Sequence, residues 1–254
     1  MTRSRRHAPQ RSLAVWLAGR IGLEAYAGMA ERLAWDVSEP DGRPPTLVLY
    51  EPEPSITIGR AGSRTDVDLS DDELRSRQIA IRFIGRGGGA VPHGPGQVGI
   101  ALFATLEDLG LARHDVGGYL ERFEAAIEGA VRGLRCGAAR DSRAAGIFGR
   151  TGLLAAVGIA VRRGVAWHGG FLNVQPLAFP MHRVRTAPMA AAAGMRTMSS
   201  VETDVQRRVR VQDARTMIIE QVADAFGFAE SHVHPGMPVS VREVPLREPA
   251  SRAG

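Results

Sequence analysis

Lysine is missing from this sequence, and all 32 of its basic residues are arginines. Arginine stays protonated at any working pH, so it can pair with an anion but cannot act as a general base or as an amine nucleophile. Chemistry that depends on a lysine of this chain is therefore excluded, and a base or nucleophile must come from another residue type.

Cysteine occurs once, at Cys136. A single thiol cannot form an internal disulfide, which fits a reducing compartment, and we expect a cytoplasmic protein. Cys136 is also the one thiol that could act as a nucleophile. We expect it instead to be a small, partly buried apolar residue, which is the commoner state of an isolated cysteine.

Long apolar runs and aromatic residues are also scarce. No stretch approaches the about 18 uninterrupted apolar residues that a transmembrane helix requires, so we expect no membrane span. Aromatic residues make up 6% of the chain, and the arginines form no block interleaved with them, so a nucleic-acid partner is not expected. Residues 1–12 are basic and are predicted to form a disordered tail. Arg20 and Glu24 interrupt the apolar segment that follows, which makes it a poor signal peptide.

Apolar residues make up 44% of the chain, which is enough for a packed core. Strand-like segments follow one another with only a few helical segments, near residues 23–37, 118–134 and 211–228. Residues 152–174 alternate in polarity on both sides of a turn at 162–164 and predict a hairpin. This order predicts an α+β domain with a mixed β-sheet flanked by helices. We expect one domain over residues 13–230 and an extended C-terminal arm over 231–254.

Glycine is concentrated in residues 84–99, which read IGRGGGAVPHGPGQVG. A phosphate-binding P-loop would need a lysine, and a dinucleotide fold would need a helix, which Pro92 and Pro95 prevent. Bare backbone would instead let a thin ligand lie against the loop. Arg86 could hold an anion or a carbonyl group, and His93, with an ordinary pKa of about 6.5, could transfer protons at neutral pH. A tight glycine hairpin with a surface histidine is the alternative.

The glycine segment, continued to RGGGAVPHGPGQVGIALFATL, resembles the signature of the octanoyltransferases of lipoate synthesis. Three more segments resemble that family in the same order: LVLYEPEPSITIGRAG, AGIFGRTGLLAAVGIAVRRGVAWHGGFLNV and MSSVET. The likeness runs from about Leu47 to Glu202. It implies the fold of the biotin/lipoate protein ligase catalytic domain, a mixed sheet flanked by helices.

The resemblance also implies a reaction. A medium-chain acyl group would move from a phosphopantetheine thioester on an acyl carrier protein to a lysine of a lipoyl domain. Such domains belong to 2-oxoacid dehydrogenase and glycine cleavage proteins. The glycine loop would form one wall of the slot for the acyl chain, and neither a metal nor a cofactor is expected.

The residues that match the family's motifs are the candidate site. His93 and His168 are the candidates for proton transfer. The candidate substrate-binding residues are Arg86, Gly87, Gly88, His93, Gly94, Gly96, Gln97, Gly158, His168, Gly169 and Asn173.

The chain departs from the family at two catalytic positions. The resemblance implies a cysteine that carries the acyl group and a lysine that assists it. The lysine position falls on Leu153, and the cysteine position falls near Ala187, where Thr186 offers the only nucleophilic side chain. Arg150 lies near the lysine position but cannot replace a base.

Three hypotheses follow from these departures. The first is an acyltransferase that works by proximity, without a covalent intermediate, with His93 or His168 collecting the proton. The second is a catalytically inactive homologue that binds an acyl carrier or lipoyl domain as a chaperone, carrier or regulatory subunit. The third, an ATP-dependent lipoate or biotin ligase, fits less well because those relatives use a lysine to bind the adenylate. A further alternative is that a partner chain supplies the nucleophile.

Overall fold

The computed structural model describes residues 11–141, 144–176, 181–186 and 198–238. Most of the predicted N-terminal tail, residues 1–10, and most of the predicted C-terminal arm, residues 239–254, lie outside these ranges. Within them, no helix combines the length and the apolar character needed to cross a membrane.

Two sheets and five α-helices make up the described part of the chain. The strands are β1 (Ser12–Ile21), β2 (Thr46–Pro52), β3 (Ser55–Ile58), β4 (Ala80–Phe83), β5 (Ala90–His93), β6 (Gln97–Thr105), β7 (Ala139–Asp141), β8 (Ala144–Phe148), β9 (Leu153–Arg162), β10 (Val165–Asn173) and β11 (Glu230–Pro235). The helices are α1 (Leu23–Asp36), α2 (Asp71–Ser76), α3 (Val116–Gly133), α4 (Val201–Val205) and α5 (Val211–Phe226).

The large sheet is mixed and has the strand order β11-β1-β2-β6-β10-β9-β8-β7. β1 pairs in parallel with both β11 and β2, and the other neighbours are antiparallel. This arrangement, with helices on both faces, confirms the predicted α+β class. The start of the predicted C-terminal arm is thus an edge strand of the sheet.

Apolar side chains cover the large sheet on both faces. One face packs against α3 and α5, where Phe123, Ile127 and Ile218 are fully buried. The other face packs against α1 through Met29 and Leu33. Because apolar residues recur every three or four positions along these helices, each helix buries one side only.

The β9–β10 hairpin confirms the turn predicted at residues 162–164. Arg163 and Gly164 both have positive φ, 53° and 83°. Two successive residues with positive φ match the right-handed twist of paired strands, so a two-residue turn connects β9 to β10.

The small sheet has the order β4-β3-β5 and encloses its own apolar cluster. β3 follows β2 closely in the chain, and β5 precedes β6, so the small sheet joins the large one near the ends of β2 and β6. A cleft lies where the small sheet, the large sheet and the start of α1 meet.

Candidate functional site

The cleft is mostly apolar. Three structural units line it: α1, the small sheet and the large sheet. Leu23 and Ala27 line it from α1, Ile84 from the segment after β4, and Ile100 and Phe171 from the large sheet. It holds about 620 Å³ of empty space, its open mouth included. Because its lining is mostly apolar, the cleft favours an apolar ligand over a polar one.

Arg86 brings a buried positive charge to the cleft and is 3% exposed. Its Nη1 donates to the Gly87 carbonyl (2.9 Å), and its Nη2 donates to the Thr57 carbonyl (3.0 Å) and hydroxyl (2.8 Å). Among the described residues, no carboxylate forms an ion pair with it. Burial lowers the pKa of Arg86 to about 10, so the guanidinium stays charged at neutral pH. A cation in this setting favours a ligand with a partly negative oxygen.

His93 lies in the same cleft but does not behave as predicted. Its Nε2 is 2.7 Å from the Thr57 hydroxyl, and its ring packs against Phe171 with centroids 4.1 Å apart. Burial lowers the pKa of His93 to about 3, and the positive charge of Arg86 contributes to this shift. The expectation of an ordinary pKa, and of a surface histidine as the alternative, is wrong. At neutral pH the ring is neutral, because the apolar walls penalise its charged form.

His168 is the second imidazole that lines the cleft. Its Nδ1 is 3.2 Å from the Tyr26 hydroxyl, and its ring stacks on Trp167. Burial, and then the charge of Arg86, lower the pKa of His168 to about 4. The residue also has a positive φ of 59°, which is uncommon outside glycine. The structure thus brings both predicted histidines together, each in its neutral form.

The glycine loop lines the cleft through Arg86 and His93 and not through its glycines. Gly87, Gly88, Gly94 and Gly96 are absent from the lining of the cleft, which is instead bare at Gly158, Gly169 and Gly170 of β9 and β10. The loop packs against β9, where the Gly87 amide donates to the Ile159 carbonyl at 2.9 Å. A Cβ on Gly158 would lie 2.7 Å from the Gly87 carbonyl oxygen. Glycine at these positions therefore allows two backbones to approach closely and so places Arg86.

Gln97 and Asn173, the two matched amides, form a buried pair outside the cleft lining. Gln97 Nε2 donates to Asn173 Oδ1 (2.8 Å) and to the Pro92 carbonyl (2.9 Å). These hydrogen bonds hold the segment that contains His93 against the end of β10.

The residue that the resemblance assigns to the family's lysine position is apolar in this protein. Leu153 is 2% exposed and packs with Val91, Ala156 and Met198. Ala187, near which the resemblance places the family's cysteine, lies outside the described residues. Thr186, one residue earlier, is half-buried with its hydroxyl 3.2 Å from the sulfur of Met198. Arg150 donates from Nη2 to the Asp204 carbonyl, so it contributes to packing beside β9.

Cys136 is buried away from the cleft lining and is 2% exposed. Its sulfur is 3.4 Å from Asp204 Oδ2. Burial and the hydrogen bond with Asp204 raise the pKa of Cys136 to about 12, so the thiol is protonated at neutral pH. The expectation of an inert, buried thiol is consistent with this setting.

Five polar residues of the cleft were not predicted: Tyr26, Tyr50, Ser55, Thr57 and Arg82. Tyr26 lies in the segment near residues 23–37 that was predicted only to be helical, and its ring stacks on Tyr50 with centroids 4.9 Å apart. Thr57 belongs to a strand segment that resembles the family, yet the resemblance gave it no role. Arg82 pairs with Glu24 at 2.7 Å, which joins β4 to α1 beside the cleft.

Comparison with known proteins identifies the family. The family model for the lipoyl protein ligase A/B catalytic domain matches residues 27–226. The chain belongs to this family. The resemblance noted in the sequence is thereby confirmed, and so is the fold that it implied.

Curated relatives of this lipoyl protein ligase family member carry the name octanoyltransferase. The protein from Geotalea uraniireducens is 32% identical over 195 residues, which cover 77% of this chain and 84% of the relative. The one from Geobacter sulfurreducens is 32% identical over 203 residues, or 80% and 79%. A Porphyromonas gingivalis protein is 34% identical over 167 residues, which span 61% of this chain but 33% of that relative. These relatives support the prediction of an acyltransferase.

Solved structures agree on the fold. A lipoate-protein ligase A bound with ATP has a TM-score of 0.66 at 17% identity, covering 87% of this chain and 88% of its own. A bipartite lipoate protein ligase from Thermoplasma acidophilum, described with its E2 lipoyl domain, has a TM-score of 0.62 at 16% identity, covering 92% and 89%.

Proposed function

We propose that this protein transfers a medium-chain acyl group, octanoyl in the first place, from an acyl carrier protein thioester to a lysine of a lipoyl domain. The acceptors are lipoyl domains of the kind found in 2-oxoacid dehydrogenase and glycine cleavage proteins. Transfer is direct, without an acyl group on a cysteine of the enzyme. One observation carries the proposal: an apolar cleft holds a buried cation and two neutral imidazoles, while the only cysteine lies elsewhere.

The cleft suits the hydrocarbon part of the substrate. Leu23, Ala27, Ile84 and Ile100 provide apolar contacts. Each methylene that leaves water contributes about 0.8 kcal/mol. An eight-carbon chain therefore gains enough from burial to hold the thioester in place while the acceptor approaches.

Arg86 suits the polar end of the substrate. When an amine attacks a thioester, negative charge develops on the carbonyl oxygen. A guanidinium already fixed by Thr57 and Gly87 stabilises that charge without reorganising.

The reaction balances without a nucleophile from the enzyme. The lysine nitrogen of the acceptor forms a bond to the thioester carbonyl carbon, and the carbon–sulfur bond breaks. The proton lost by the amine ends on the departing sulfur. His168 passes that proton, because it lines the cleft and is more exposed than His93, 9% against 1%. Positioning the two substrates together supplies the rate gain.

The proposal is tested with octanoyl carrier protein and an apo lipoyl domain as substrates and the mass of the domain as the readout. We expect a mass gain of one octanoyl group. Cys136→Ala should retain this activity, because the thiol lies away from the cleft. Ala27→Trp should abolish it by filling the cleft.

Two outcomes would contradict the proposal. The first is no mass gain at high enzyme concentration while a cysteine-bearing relative works in parallel. The second is loss of activity in a folded Cys136→Ala variant. Tight binding of either substrate without turnover would favour the non-catalytic binder, for which the comparisons give no support.

A further inference from the structure

Thr57 occupies a central position in the site. It lies on β3, the middle strand of the small sheet, opposite Arg82 of β4 and Val91 of β5. It is buried, and it lines the cleft. Its hydroxyl oxygen is 2.8 Å from Arg86 Nη2 and 2.7 Å from His93 Nε2.

The direction of both hydrogen bonds follows from the chemistry of the groups. A guanidinium can only donate, so the Thr57 hydroxyl accepts from Arg86. The hydroxyl still has one proton to donate, and the His93 Nε2, 2.7 Å away, is the hydrogen-bond partner within reach of it besides Arg86. A buried hydroxyl proton without an acceptor would be costly. His93 Nε2 therefore carries no hydrogen.

The tautomer of His93 follows in turn. At neutral pH the ring is neutral, so exactly one of its two nitrogens carries a hydrogen. That hydrogen is on Nδ1, which is buried and has no hydrogen-bond partner among the described residues. The Nε2–H form costs more, because it would leave the Thr57 proton unpaired as well as Nδ1. The ring cannot take up another proton at Nε2 unless it breaks the bond to Thr57.

We propose that Thr57 is a positioning residue of the acyl site, whose hydroxyl fixes the guanidinium of Arg86 and holds His93 as the Nδ1–H tautomer. Its carbonyl and its hydroxyl together give Arg86 Nη2 two acceptors. The held His93 ring supports Phe171, which lines the cleft. The effect on catalysis rests on the proposed function, whereas the tautomer is a property of the protein alone.

The tautomer is measured on the free protein by long-range ¹H–¹⁵N correlation spectroscopy. The chain has seven histidines, and the signals of His93 are assigned by their loss in His93→Gln. We expect the wild type to show the Nδ1–H tautomer from about pH 5 to about pH 8. Thr57→Ser keeps a hydroxyl and should keep that tautomer. Thr57→Val removes the donor and should shift His93 toward the Nε2–H form.

The kinetic readout uses the same variants. Losing a hydrogen bond to a charged group should lower kcat/KM of Thr57→Val about 10- to 100-fold, and Thr57→Ser should recover most of it. An Nε2–H tautomer in the wild type would overturn the proposal. So would a Thr57→Val variant with wild-type tautomer and wild-type kinetics. If the wild type transfers no octanoyl group but shows Nδ1–H, the proposed function fails while the role of Thr57 in setting the tautomer stands.

Discussion

His93 and His168 share one apolar cleft with Arg86, and their protonation follows from that neighbourhood. Burial removes water from both rings, and the charge of Arg86 disfavours a second cation beside it. The pKa values, about 3 for His93 and about 4 for His168, leave both rings neutral at neutral pH. In the resting protein, both rings therefore accept or donate hydrogen bonds as neutral groups.

The stability of the protein should depend on pH through these histidines. In the unfolded chain a histidine takes up a proton near pH 6.5, but in the folded chain His93 does so only near pH 3. Between these values the unfolded state binds more protons, so the free energy of unfolding falls as the pH falls below about 6.5. Urea unfolding at several pH values should show this loss, and His93→Gln should show a smaller one. An equal loss in both proteins would contradict the pKa shift.

The thiol of Cys136 should resist alkylation in the folded protein. It is buried, and its pKa is raised to about 12, so very little thiolate forms at neutral pH. Iodoacetamide followed by mass measurement should show no adduct in the native protein and one adduct in urea. Rapid labelling of the native protein would indicate that the thiol is accessible.

At the scale of elements, the β9–β10 hairpin and the glycine loop build the cleft together. The hairpin supplies Gly158 and His168, and the loop supplies Arg86 and His93. The hairpin could be predicted because its turn and its alternation are local in sequence. The packing role of Gly87 could not, because it depends on β9, far away in the chain. For the same reason, the sequence of β1 or of β11 taken alone does not predict that the two strands pair in parallel.

Gly158→Ala should disturb the site by displacing the glycine loop. The new Cβ would lie 2.7 Å from the Gly87 carbonyl oxygen and 3.0 Å from Arg86 Cδ. The loop must then shift, which should cost about 1–3 kcal/mol of stability and raise KM for the acyl donor. Gly137→Ala is the matched control, because nothing lies within 4 Å of its Cβ. Its stability and KM should stay close to those of the wild type, and equal effects in the two variants would contradict the packing role.

At the scale of the whole molecule, the cleft lies at the junction of three structural units. The large sheet, the small sheet and α1 all contribute lining residues, so a ligand in the cleft contacts units that are distant in sequence. The motifs predicted Arg86, His93 and His168 as site residues because each of them matches a position in the family's sequence motifs. They could not predict Tyr26 or Tyr50, since the tertiary fold alone brings α1 and β2 to the cleft.

A ligand that contacts all three units should stabilise the whole fold. At about 100 times its Kd, octanoic acid should add about 2.7 kcal/mol to the free energy of unfolding. For a protein of this size, that corresponds to a rise in Tm of roughly 5–10 °C. Differential scanning calorimetry should show the rise in the wild type and none in Ala27→Trp. An equal rise in the variant would place the ligand outside the cleft.

Direct transfer requires both substrates to be on the enzyme together, because neither a lysine nor a cleft cysteine can hold the acyl group. Initial rates measured over a matrix of octanoyl carrier protein and lipoyl domain concentrations test this most directly. Double-reciprocal plots should give intersecting lines, the pattern of a ternary complex. Parallel lines, accompanied by an octanoyl adduct on the enzyme in the absence of the acceptor, would show a covalent intermediate and contradict direct transfer.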